Sequence, residues 1–253
     1  MTESARPTPQ AIPDTVTICI TSCGRLDLLA QTLVSFRTFN GGGTYLISED
    51  STDAAVIDQV RKVYPEARVL SGPTRLGLMG SIDRLYSEVT TPYLFHLEDD
   101  WDFAGAVDWV AAIAMLEARA DVAHVCVRDV TEIKEKYRNR SEVVTLAGRD
   151  FRVMQTTAHP EYFAWSSNPG LMKVETYKAF ALFGRMQHDQ MSGLMKKSGF
   201  RQAFLLPGVA RHSGYGRNVV DPTMPARPKS RPQKWLRAIR KRLYYAGLRK
   251  EPF

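Results

Sequence analysis

The sequence predicts an α/β protein built on a mainly parallel sheet with helices on both faces. Three observations carry that expectation. Short apolar runs alternate with stretches of helical periodicity through residues 15–103. The runs are nearly continuous rather than alternating, as in strands covered on both faces. Three of them end in polar or acidic clusters, and open parallel sheets bind ligands outside the carboxyl ends of their strands. At 253 residues the chain can bury a full core, as one large domain or two closely joined halves.

In chain order, residues 1–14 read as a loose lead-in without the apolar core of a signal peptide. Thr15–Thr21 is the first buried strand. After the Cys23-Gly24-Arg25 turn, Leu26, Leu29, Leu33 and Phe36 recur at helical spacing. Thr44–Ser48 makes a second strand, left through the acidic turn Glu49–Asp53. Val56, Val60 and Val63 mark a helix that stops near Pro65, and Arg68–Leu70 is a short third strand. A loop with Gly72, Pro73, Gly77 and Gly80 precedes a helix bearing Ile82, Leu85 and Val89. The fourth strand, Tyr93–Leu97, runs into Glu98, Asp99 and Asp100. Beyond it come an apolar helix over Val107–Ala118 and a strand at Val122–Val127. A charged stretch, Lys134–Arg140, follows, then a strand at Val143–Leu146 and an aromatic loop through Tyr162, Phe163 and Trp165. Asn168-Pro169-Gly170 turns into a strand at Leu171–Val174, with helices over Glu175–Phe183 and His188–Ser198. Ala203–Leu206 is the last strand.

The net charge of +7 is unevenly placed. Residues 222–253 hold ten Lys/Arg and one acid, so the remainder, with 24 basic and 26 acidic residues, is near neutral. A nucleic-acid-binding protein would spread its basic face through the folded domain, so no nucleic-acid partner is expected. Cys19, Cys23 and Cys126 lack metal spacing and read as reduced packing thiols of a cytosolic protein. No run approaches a membrane-spanning length.

The three carboxylates at 98–100 repel one another unless something positive sits among them. Either they form a solvated acidic turn, or they hold a divalent cation, Mg²⁺ or Mn²⁺, which would bring a phosphate ligand with it. The convergence of Thr21–Arg25, Glu49-Asp50 and Glu98–Asp100 on one rim favours a site. His96, inside the strand, reads as a satisfied core residue.

Five motifs in order then resemble those of a GT-A glycosyltransferase, most similar to glycosyltransferase family 2. Ile18–Arg25 stands where that family has an apolar strand ending in Pro-Thr-Tyr-Asn-Arg. Ile47–Asp53 is similar to its Val-Asp-Asp-Gly-Ser-Thr-Asp turn, and Arg75–Asp83 to its Asn-x-Gly…Ala-Arg-Asn stretch. Glu98-Asp99-Asp100 matches its metal-binding acidic motif, and His188-Asp189-Gln190 falls where it has Glu-Asp before a helix. Thr21 in place of Pro, Glu49-Asp50 in place of Asp-Gly and Ile82 in place of Arg depart from the pattern.

The resemblance implies a GT-A (Rossmann-like) fold whose residues 15–103 bind a nucleotide-sugar and whose residues 104–221 carry the acceptor and catalytic side. It implies a metal-dependent, inverting transfer from a nucleotide-sugar to a hydroxyl acceptor. Asp100 would ligate the metal, Mn²⁺ or Mg²⁺, with His212, or His212 is a surface or capping residue. Thr21 and Arg25 would line the nucleotide pocket, Glu49 or Asp50 would accept from the base, and Arg75 would lie beside it. Asp99 or Glu98 would reach the ribose or a metal-bound water. Asp189 would be the general base, against the alternative of a helix N-cap. Trp101, Trp165 and Tyr162 would stack on sugar rings or pack in the core.

The tail, 222–253, reads as a basic amphipathic helix over 231–250. It would either lie on an anionic membrane, placing the chain at the inner face and suiting an envelope or lipid-linked glycan acceptor, or pack on its own body or a partner. The competing functions are a sugar-phosphate nucleotidyltransferase, for which a Gly-rich basic first loop is missing, and a non-catalytic nucleotide- or sugar-binding protein. No G-x-G-x-x-G follows the first strand, which disfavours a dehydrogenase.

Overall fold

The computed structural model describes residues 8–180, 183–223 and 230–249, with backbone alone at 245. Residues 1–7 of the expected lead-in, and 224–229 and 250–253 of the tail, lie outside the described residues.

The apolar runs become the strands of one nine-stranded sheet. In spatial order these are Ala67–Leu70, Thr44–Glu49, Val16–Ser22, Tyr93–Glu98, Gly170–Lys173, Val122–Cys126, Arg201–Leu206, Arg149–Met154 and Ser141–Leu146. Gly170–Lys173 and Arg149–Met154 run against the other seven, so the sheet is mainly parallel.

Helices cover both faces because successive strand residues point to opposite sides. Ile18, Ile20, Ile47, Phe95 and Leu97 pack with Leu29, Leu33 and Phe36 of the helix Leu26–Phe39 and with Met115 and Leu116 of Trp109–Ala118. Their strand neighbours Cys19, Leu46 and Leu94 pack on the other face. There they meet Met79, Ile82 and Leu85 of Gly77–Ser87 and Met191 and Met195 of His188–Lys197.

Several expectations are corrected. Within the lead-in, Gln10–Ala11 pairs with Asn40–Gly41 and Ile12 is buried, so this part is tied to the body. Val63 is exposed, and Ile57 with Val60 buries the inner face of Ala54–Val63. Val89 is buried but lies past the end of its helix. The helix expected from Val107 begins at Trp109, capped by the Asp108 side chain on the Ala111 amide. The helix expected over 175–183 spans only Val174–Ala179. Besides Gln10–Ala11 and Asn40–Gly41, the strands Arg149–Met154, Trp101–Phe103 and Ala210–His212 had no sequence expectation. Trp101–Phe103 pairs with Ala210–His212 in a separate ribbon, His212 opposite Trp101.

Candidate active site

The parallel strands Val16–Ser22, Thr44–Glu49 and Tyr93–Glu98 end side by side, and their ladders continue one step into the loops. The Asp50 amide donates to the Ser22 carbonyl (2.9 Å) and the Asp99 amide to the Thr21 carbonyl (3.1 Å). This backbone continuity brings Thr21, Asp50 and Asp99 to the lining of one cleft. Around them opens a cleft of ≈ 280 Å³, also lined by Arg25, Arg75, Glu98, Asp100 and His212.

The positive group between the acids is Arg25. Its guanidinium donates from Nε to Asp99 Oδ2 (3.2 Å), from Nη1 to Asp100 Oδ2 (2.9 Å), and from Nη2 to Asp99 Oδ1. The ribbon strand Ala210–His212 then brings in the imidazole. Its pairing with Trp101–Phe103 sets His212 Nε2 3.4 Å from Asp100 Oδ2, and the Ser213 amide donates to the Asp100 carbonyl (2.8 Å). Gly214 makes the approach possible, since a Cβ there would lie 2.5 Å from Asp100 Oδ2.

The electrostatics differ from acid to acid. Burial, with Asp100 next in weight, pushes the Glu98 carboxyl up to about 8. Burial also raises Asp99 to about 6 despite its guanidinium partner. At Asp100 burial is outweighed by His212 and Arg25 together, and the carboxyl is held below its ordinary value.

Asp100 Oδ1 is buried without a hydrogen-bond partner among the described residues. With the His212 ring beside the other oxygen, this donor set fits a divalent cation. Among the described residues, no group of three or more His, Cys, Asp or Glu side chains would hold a metal alone. Two protein ligands completed by phosphate and water are the usual arrangement for Mg²⁺ on a nucleotide.

The two acids of the second strand end part company. Asp50 lines the cleft and accepts from the Leu76 and Gly77 amides at the start of Gly77–Ser87 (2.9 Å each). Glu49 is buried behind it, where Oε1 accepts from the Gly24 and Ser51 amides (2.9 Å each) and braces the first and second turns. Thr21 Oγ1 and Arg75 Nε are buried without partners among the described residues.

The structure also adds cleft residues that the sequence did not single out: Ser22, Ser81, Asn218, Val219 and Asp221. Asp221 accepts from the Leu78 amide (3.0 Å), so two acids serve one helix start. Cys23 lines the cleft half-buried, whereas Cys19 and Cys126 are buried, and all three are free thiols.

Asp189 lies apart from this lining. It sits in the first turn of His188–Lys197, and it is not the N-cap, a place taken by Gln187 in a capping box with Gln190. Its Oδ2 accepts from Lys241 Nζ (2.7 Å), which also donates to Glu161 Oε2 (2.9 Å). Tyr162, 40% exposed, stands beside this group, its ring 6.3 Å from that of His188. Trp101 and Trp165 are buried, which removes both as stacking surfaces. His96 is buried as expected, but neither ring nitrogen has a partner among the described residues. The Ser167 amide donates to His188 Nε2 (3.2 Å), linking the Asp189 turn to the loop behind Glu98.

No protein-family model matches the sequence, and no curated protein does. Solved structures do. GalNAc-T7 with UDP, GalNAc and Mn²⁺ superposes with a TM-score of 0.55 at 11% identity, covering 88% of this chain and 48% of that one. Staphylococcal (S. aureus) TarS 1–349 gives 0.54 at 9% identity, over 79% and 60%. The mannosyltransferase PcManGT from Pyrobaculum calidifontis, with GDP-Man and Mn²⁺, gives 0.53 at 11%, over 98% and 70%. This chain therefore spans about half the length of the first of these and 60% of the second. The likeness gives the chain the GT-A fold.

Proposed function

We propose that the chain is a metal-dependent, inverting glycosyltransferase that moves a sugar from a nucleotide-sugar to a hydroxyl acceptor. The observation that carries the reading is the meeting of Arg25, Asp50, Asp99, Asp100 and His212 in one cleft at the strand ends of a GT-A fold. Solved neighbours of that fold hold UDP or GDP-Man with Mn²⁺.

Residues 15–103 supply most of the donor side. Thr21, Asp50 and Arg75 line the part of the cleft assigned to the nucleoside. Asp99, fixed by Arg25, faces the sugar-phosphate side. Asp100 and His212 would hold a divalent cation, which supplies neutralisation of the departing diphosphate. Gly214 lets the His212 strand close over Asp100.

Residues 104–221 supply the acceptor side. Asp189 takes the proton from the acceptor hydroxyl as that oxygen bonds to the anomeric carbon and the bond to the diphosphate breaks. Attack opposite the leaving group inverts the configuration. Lys241 must give up Asp189 Oδ2 for this step while keeping Glu161, because an ammonium-paired carboxylate is a weak base. Tyr162 offers a half-exposed ring beside the incoming sugar. No helix of the described residues is long and apolar enough to cross a membrane. The tail suits peripheral attachment at the cytoplasmic face, with an envelope or lipid-linked glycan as acceptor.

The test is a panel of nucleotide-sugars with Mn²⁺ or Mg²⁺, read by release of nucleoside diphosphate and by NMR of the product. The reading expects metal-dependent release from one donor class and an anomeric configuration opposite to the donor's. Retention of configuration, or release unaffected by chelator, would overturn it.

A further inference from the structure

We propose that the helix Arg231–Tyr245 is a bilayer-binding face fastened to the acceptor side of the site, so that the chain works on an acceptor carried by an anionic lipid surface. Bilayer binding follows from the helix itself. The lipid-borne acceptor rests on the glycosyl-transfer reading above.

The helix has two faces with different duties. At about 100° per residue, Arg237 and Tyr244 fall within about 60° of Lys241. That side meets the body. Lys241 bridges Glu161 and Asp189, and Lys197 sits 5.5 Å from the Tyr244 ring centre. Trp235, Leu236, Ile239 and Leu243 fall roughly 120–220° away from Lys241, on the opposite side. Trp235 is 69% exposed, Leu236 44% and Leu243 39%, with Ile239 half-buried among them, so most of this apolar stripe faces away from the body. Arg240 and Arg242 stand about 100° to either side of Lys241 and so flank the stripe.

The occupant is chosen by charge. Residues 231–249 hold seven Lys/Arg and no acid. An apolar stripe edged by guanidinium groups matches the boundary between acyl chains and anionic headgroups. A second copy of the chain would set the same arginines against each other.

Because the body-facing and lipid-facing sides are opposite, the helix binds lipid without leaving the body. The Asp189–Glu161 pair then lies roughly one helix diameter, about 10–12 Å, from the lipid-facing side. An acceptor hydroxyl just above the headgroups is within its reach.

Trp235 makes this measurable, since the other three tryptophans are at most 1% exposed. The full chain is titrated with brominated vesicles of phosphatidylcholine, alone or mixed with phosphatidylglycerol, without donor or acceptor. Hydrogen exchange is followed over residues 158–163 and 187–191. Quenching of Trp235 is expected with the anionic vesicles and to weaken with salt. It should be about tenfold weaker in Leu236→Ser/Leu243→Ser, which keeps the probe. Lys241→Gln should still bind vesicles but show faster exchange in both segments, while the vesicle-bound wild type stays protected. Absent quenching, equal quenching by phosphatidylcholine alone, or a dimer abolished by the double variant would overturn the bilayer face. Exchange in the vesicle-bound wild type rising to the Lys241→Gln level would overturn the fastening. None of these readouts depends on turnover, so failure of the glycosyl-transfer reading would show separately, in the donor panel.

Discussion

Replacing His96 with Phe should make the protein more resistant to acid. His96 and His124 lie on strands that flank Gly170–Lys173, 0% and 1% exposed. Burial holds each imidazole down to about 3. The sign follows from linkage: a base with a lowered folded pKa stabilises the fold above its unfolded pKa and loses that contribution as pH falls. The window therefore opens near pH 6.5 and extends down to about 3. At pH 5 the unfolded imidazole has gained a proton that the folded one refuses, which costs about 2 kcal/mol per histidine. Neither His96 nitrogen has a hydrogen bond to lose among the described residues, and its ring sits edge-on to Tyr86 at 5.7 Å, a contact that Phe retains. Apolar replacement of an unpartnered buried polar group is near neutral or stabilising. Urea unfolding of wild type and His96→Phe at pH 7 and pH 5 is the assay. Glu98 and Asp99, whose raised values act in the opposite sense, titrate in both proteins and cancel in the difference. The variant should lose about 2 kcal/mol less than wild type on acidification. Equal losses would refute a buried, neutral His96.

Other substitutions address the fold and the chemistry. Gly170→Ala would place a Cβ 2.2 Å from His124 Nε2 and 2.6 Å from the Val125 carbonyl, so a loss of about 1–3 kcal/mol or more is expected in thermal or urea melts. Asp50→Asn should cost about 1–2 kcal/mol, because an NH2 in place of Oδ1 cannot accept from the Leu76 amide, which keeps only its longer contact to the oxygen Gly77 also uses. Asp189→Asn should leave donor affinity unchanged and slow transfer by about 10²–10⁴-fold, and unchanged turnover would remove it as the base. The Gln187 cap is untouched in that variant, so any loss of melting temperature reports the Lys241–Asp189 pair and not a lost cap.

The strands and most helices were legible because burial on two faces leaves an unbroken apolar run in the sequence. Arg149–Met154 was not, since Arg149, Asp150 and Arg152 alternate with Phe151 and Val153 near the sheet's edge, and the charges masked the inward residues. The strand ends were legible as polar clusters, but neighbouring residues face opposite ways. Spacing alone therefore left Glu49 and Asp50 equivalent, and the ladder to Ser22 is what turns Asp50 into the cleft. Asp221 was invisible for another reason: it meets Leu78 across 143 residues from a segment without periodicity. Lys241 reads in sequence as one charge in a solvated run, and only the packing of the tail brings it onto Glu161 and Asp189.

The central claim, that the strand-end cleft takes a nucleoside diphosphate through Asp100 and a divalent cation, is tested most directly by calorimetric titration of UDP and GDP. Saturable binding of one of them is expected in Mn²⁺, lost on adding chelator and lost in Asp100→Asn at an unchanged melting temperature. Binding of equal strength with chelator present, or in Asp100→Asn, would contradict it.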